Sequence, residues 1–144
     1  MQTIHTELNR VIVARVYPDE DLIESITQVV LQSDITSGSI NVIGALKKYT
    51  LGYFDIKKKE YKLHSFEEDV ELISCMGNIA FKDGKPIIHL HCIVGREDYS
   101  VMGGHLGQPS IISVTGEVII HETTTPLLRE NDPRFNLSLL KLNK

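Results

Sequence analysis

Cysteine is scarce in this 144-residue chain, which carries only Cys75 and Cys92. Both sit inside apolar, strand-like runs, so two buried thiols in a reducing cytoplasm are expected rather than a disulfide framework. Long apolar runs are missing as well. The opening MQTIHTELNR holds no stretch of signal-peptide length, and nothing approaches the about 18 consecutive apolar residues that cross a bilayer as a helix. Neither export nor membrane insertion is expected. Positive charge is in deficit too: the formal net charge is −4, whereas non-specific nucleic-acid binding depends on clustered Lys and Arg that neutralise phosphates. The one basic cluster, Lys57, Lys58 and Lys59 with Lys62, falls where a turn between two strands is expected and reads first as a solvated hairpin tip. The chain also lacks a glycine-rich phosphate loop, a Gly-x-Ser-x-Gly elbow and a Cys-x-x-Cys pair, which sets nucleotide-dependent and serine-hydrolase chemistry aside.

What is present is ordinary globular material: 42% hydrophobic and 24% charged residues, enough chain for one domain with its own core. No repeat or Gly/Ser-rich linker divides residues 1–144, so a single domain is expected. The Val- and Ile-rich run Leu8–Val16 reads as a first strand. Pro18 ends it, Asp19, Glu20 and Asp21 favour a helix N-terminus, and Leu22, Ile23, Ile26, Val29 and Val30 recur at helical spacing. One amphipathic helix is predicted over 19–32. From Gly38 the pattern becomes β-rich runs divided by turn residues, an antiparallel meander. Within it Lys82-Asp83-Gly84-Lys85 is a tight-hairpin signal, because Asp-Gly tolerates the positive φ angles such turns need. The segment GREDYSVMGGHLGQPS reads as a loop, Ile111–His121 as another strand, and the stretch from Glu122 as a polar tail. The fold class that follows is α+β, a largely antiparallel twisted sheet with one main helix.

Chemistry concentrates on histidine. His89 and His91 are two apart on a predicted strand, so both imidazoles point to one face. His105 follows Gly103-Gly104 in the predicted loop, where glycines permit the close approaches that bring it to the same point. Three neutral imidazoles suit zinc, and three protein ligands with an open fourth position describe a reactive or ligand-binding site; copper, nickel or iron fits the same donors. Glu71 and Glu117 interrupt apolar stretches and are candidates for proton transfer beside the metal, or else solvated outward-facing residues. His64 and His121 are expected to be exposed, and His5 has no assigned role.

Several short motifs, in this order, carry a family resemblance: Asp21-Leu22, Gly44-Ala45-Leu46, Glu71-Leu72-Ile73-Ser74 with Gly77-Asn78, Asp83-Gly84-Lys85-Pro86, His89-Leu90-His91, Gly103-Gly104-His105-Leu106 and Thr115-Gly116-Glu117-Val118. Over about residues 7–122 the chain resembles the PPC domain family, the plants and prokaryotes conserved domain, in its stand-alone prokaryotic form; residues 123–144 would be a C-terminal tail. The resemblance implies an α+β homotrimer with zinc at His89, His91 and His105. It also raises a DNA-associated role, the attribution that plant relatives with AT-hooks bring. Here no Arg-Gly-Arg-Pro core exists, since Arg10, Arg15, Arg96, Arg129 and Arg134 are isolated. Three readings therefore stand: a trimeric metal-binding domain taking a small anionic or carbonyl ligand, a DNA-associated regulator, and a metal-dependent enzyme using zinc-activated water.

Overall fold

The computed structural model describes residues 1–142. In chain order the elements are β1 (Leu8–Val16), α1 (Leu22–Gln32), β2 (Gly38–Asp55), β3 (Glu60–Lys82), β4 (Lys85–Gly95), β5 (Val101–Thr123), β6 (Leu128–Asp132) and β7 (Leu137–Lys141). The expected α+β class holds: one helix lies against one seven-stranded sheet, antiparallel except where β6 meets β3. β2 pairs with both β3 and β5, and β4 also pairs with both β3 and β5. These four strands therefore form a closed circuit, the curl that twisted long strands favour. β1 extends the sheet on the far edge of β5.

The predicted helix begins later than Asp19. Asp19 has φ 73° and its N–H donates to the Ile112 carbonyl, while Asp21 takes extended geometry and its carboxylate accepts from the Glu24 N–H at 3.0 Å. That capping bond makes Leu22 the first helical residue. The same carboxylate accepts from the Ser110 N–H at 2.8 Å and from Gln108 at 3.0 Å, tying the helix start to β5. Leu22, Ile26 and Val30 then bury one face completely, the i, i+4 stripe of an amphipathic helix. They pack into a core with Ile40, Leu46, Leu72, Ile79, Leu90, Leu106, Ile112 and Ile120.

Three other expectations change. The β-rich runs between Glu60 and Phe81 are one continuous strand of 23 residues. The predicted loop after Gly95 shrinks to residues 96–100, and Val101–Ser110 joins β5. The polar tail contains the β6–β7 hairpin, which meets the sheet through Phe81 and Leu128. The Asp-Gly turn is as predicted: Asp83 and Gly84 have φ 52° and 75°, and β3 pairs with β4 from Lys82–Lys85 to Glu71–Gly95. Lys57, Lys58 and Lys59 lie exposed at the β2–β3 tip.

Candidate metal centre

On β4 the even-numbered residues Leu90, Cys92 and Val94 are buried in the core, which turns His89, His91 and Ile93 to the outer face. His105 sits on β5 directly opposite His91, next to buried Leu106, and faces outward as well. The position is thus fixed by strand register rather than by a flexible loop. One ligand-capable atom from each of His89, His91 and His105 lies within 4.8 Å of the other two, a spacing that small side-chain rotations close around one ion. The ring centroids are 5.1 Å apart for His89–His91, 5.2 Å for His89–His105 and 5.5 Å for His91–His105.

Close backbone approach makes this possible. A Cβ on Gly77, which pairs with Leu90 between the two histidines, would lie 1.8 Å from the His89 carbonyl oxygen. One on Gly104 would lie 2.8 Å from the Gly52 carbonyl oxygen. Gly103 and Gly104 thus serve a tight three-strand seam, which explains why a glycine pair that reads as a loop is a strand.

Burial favours the neutral, metal-ligating form of His89 and His105. Burial pushes His89 from its ordinary 6.5 down to about 4, with Arg129, His105 and His91 adding in the same direction. Burial also lowers His105, helped by His91 and Arg129. Tyr61 from β3 stacks on the His105 ring at 4.7 Å. His105 Nδ1 is buried without a hydrogen-bond partner, an orphan that metal ligation would satisfy. The donor set therefore fits a divalent transition metal.

One neighbour was not foreseen. Arg129, on β6, reaches the cluster: its Nη2 donates to Asn78 Oδ1 at 2.7 Å and stands 3.2 Å from His89 Nδ1, while Nη1 donates to the Ser138 carbonyl at 2.8 Å. An isolated arginine in a polar tail gives no spacing signal, since its role depends on where a distant hairpin docks. Glu71 and Glu117, by contrast, stay outside the histidine cluster. They line a separate cavity of about 550 Å³ with Ile43, Ala45, Ile73 and Thr115, and Glu117 pairs with Arg15 and Ile43 near the opposite end of β5. His64 is exposed, and neither it, His121 nor His5 joins the cluster.

The class this defines is a mostly antiparallel α+β domain with a three-histidine cluster on the outer face of its sheet. The chain matches the Plants and Prokaryotes Conserved (PCC) domain over residues 4–124 and belongs to that family. It is similar to a plant- and prokaryote-conserved protein of Pyrococcus horikoshii, at 34% identity and TM-score 0.91, covering 100% of this chain and 99% of that one. A metal-containing protein of Archaeoglobus fulgidus is 30% identical, with TM-score 0.89 and coverage of 96% and 98%. A Bacteroides thetaiotaomicron protein, provisionally named as DNA-binding, is 28% identical with TM-score 0.88, covering 95% of this chain and 97% of that one. Among curated proteins, the bifunctional protein GlmU of Synechococcus sp. strain JA-3-3Ab is 26% identical over 145 residues, but the chain spans only 22% of its length.

Proposed function

We propose that this domain binds one divalent metal ion, zinc, per subunit through His89, His91 and His105, leaving one coordination position for a small ligand. The observation that carries this reading is the convergence of three imidazoles from two paired strands, one with an orphaned buried nitrogen. The metal-containing name of the Archaeoglobus relative supports it. A divalent ion held by these three histidines would supply Lewis acidity and could activate water; binding is the activity proposed, and a water-activating enzyme is the extension of it. Glu71 and Glu117 take no part in this reading, because they line the other cavity. The test is metal content and zinc affinity of wild type beside the His89→Ala/His91→Ala double variant. One ion per chain, lost in the double variant, is expected; equal stoichiometry in both sinks the assignment.

The domain is further proposed to act as a homotrimer in the cytoplasm. Support comes from neighbouring positions of β3, β4 and β5, where Ile73, Met76, Ile93 and Val101 are exposed, apolar side chains of the kind that subunits cover. Among the described residues no helix is long and apolar enough to cross a membrane. A DNA-associated role is the second reading, favoured by the exposed Lys57–Lys59 tip, which a trimer would present three times, and by the provisional name of the Bacteroides relative. An anisotropy titration at low salt decides it: no binding at micromolar protein removes it.

A further inference from the structure

Arg129 is the feature that the metal reading leaves unexplained. Only 9% of it is exposed, yet no carboxylate pairs with it among the described residues, whereas Arg10, Arg96 and Arg134 each have one. Its acceptors are all uncharged: Ser138 O, Asn78 Oδ1 and, in the tautomer with the lone pair on Nδ1, His89. Its Nε is buried without any partner. A buried guanidinium with five N–H donors and no counter-charge is costly unless something else completes it.

Loading the cluster makes the deficit worse. If His89 binds the ion through Nδ1, that lone pair is no longer available to Arg129. If it binds through Nε2, Nδ1 carries the proton and faces the arginine as a second donor. Either way Arg129 loses an acceptor just as a dication arrives beside it among ligands that carry no negative charge. Only an incoming anion corrects both charge and hydrogen bonding, and a planar or tetrahedral oxyanion suits the fork of a guanidinium.

Building on that metal reading, we infer that Arg129 makes this site an oxyanion receptor, selecting small molecules with a carboxylate or phosphoryl group that joins the metal's open position to the guanidinium. The C-terminal hairpin thereby sets ligand choice. A neutral carbonyl compound lacks the charge that Arg129 requires.

The probes are acetate, inorganic phosphate and neutral acetamide, titrated calorimetrically into zinc-loaded and metal-free wild type, Arg129→Gln and Arg129→Lys, with zinc stoichiometry measured in parallel. Acetate, phosphate or both should bind zinc-loaded wild type at least about tenfold more tightly than Arg129→Gln, the scale of a charge-assisted hydrogen bond. Arg129→Lys should fall between them, acetamide should give no Arg129-dependent binding, and the tighter anion identifies the headgroup. Because Arg129→Lys also loses the contacts that brace Ser138 and Asn78, a purely structural arginine would make both variants equally weak, which overturns the proposal. So does equal anion affinity in wild type and Arg129→Gln, or no anion binding to zinc-loaded wild type. If wild type takes up no zinc, the metal reading fails by itself, and Arg129-dependent anion binding to the metal-free protein then decides the receptor role.

Discussion

Replacing Gly77 with alanine should damage fold and site together. Gly77 lies between the Asn78–His89 and Met76–His91 rungs, and its new Cβ would meet the His89 carbonyl oxygen at 1.8 Å, the His89 carbonyl carbon at 2.8 Å and Leu90 Cδ2 at 2.9 Å. The first two contacts are backbone, so no side-chain rotation relieves them. The strands must part by at least about 1 Å, which forfeits one or two ladder hydrogen bonds at about 1 kcal/mol each and adds overpacking strain of about 1–3 kcal/mol. A loss of about 2–5 kcal/mol is expected, against a total of about 5–15 kcal/mol for a typical domain. His89 moves with the strand, and metal ligation tolerates only about 0.2 Å of displacement, so zinc affinity should fall by more than about tenfold. Urea denaturation of the metal-free protein measures the first effect and zinc competition titration the second. Gly107→Ala is the control, because its Cβ would make only an ordinary 3.5 Å contact with the Thr50 side chain. Stability of Gly77→Ala within about 1 kcal/mol of wild type, or of the control, would refute the packing argument.

Asp21→Ala removes the cap of α1 and the anchor to Ser110 at once, and denaturation should show a loss of about 1–3 kcal/mol; a neutral result would mean that water replaces the carboxylate. Met76 is 60% exposed and pairs with His91, so if the proposed trimer forms through this face, light scattering should give a trimer mass for wild type and a folded monomer for Met76→Glu; the same mass for both would refute that contact. Burial pushes the Cys75 thiol up to about 12, with Cys92 adding, and the Cys92 thiol up to about 11, against an ordinary 9.0. Because the folded values are the raised ones, their contribution to stability is full below pH 9 and is lost as pH climbs toward them. Alkylation near pH 8 should label neither thiol until the protein is unfolded, and native labelling at the unfolded rate would contradict their burial.

The parts of this molecule written in local chemistry were legible before any coordinates. Alternation on Pro86–Val94 put His89 and His91 on one face, the Asp83-Gly84 turn set the β3–β4 register, and the Leu22, Ile26, Val30 stripe marked the helix. Illegible features depended on distant partners. Glycine marks both loops and tight strand crossings, so Gly103-Gly104 could not disclose that Cys92 and Gly52 backbones press against them. The three-residue shift of the helix start, from Asp19 to Leu22, turns on the Asp21–Ser110 contact, 89 residues apart in sequence. Arg129 was invisible as a site residue because a single parallel bridge, Phe81 to Leu128, brings it there.

All three imidazoles belong to one β4–β5 hairpin, whose two arms are separated by a five-residue connection at 96–100. The guanidinium arrives on a different hairpin, outside residues 4–124, which match the family model. On the proposed reading, ion capture and ligand preference therefore lie in separable stretches of chain. Substitutions in the second would then retune what is recognised while leaving the three metal-ligating side chains of the first in place, which makes a short, peripheral hairpin the part of this chain through which specificity can be changed.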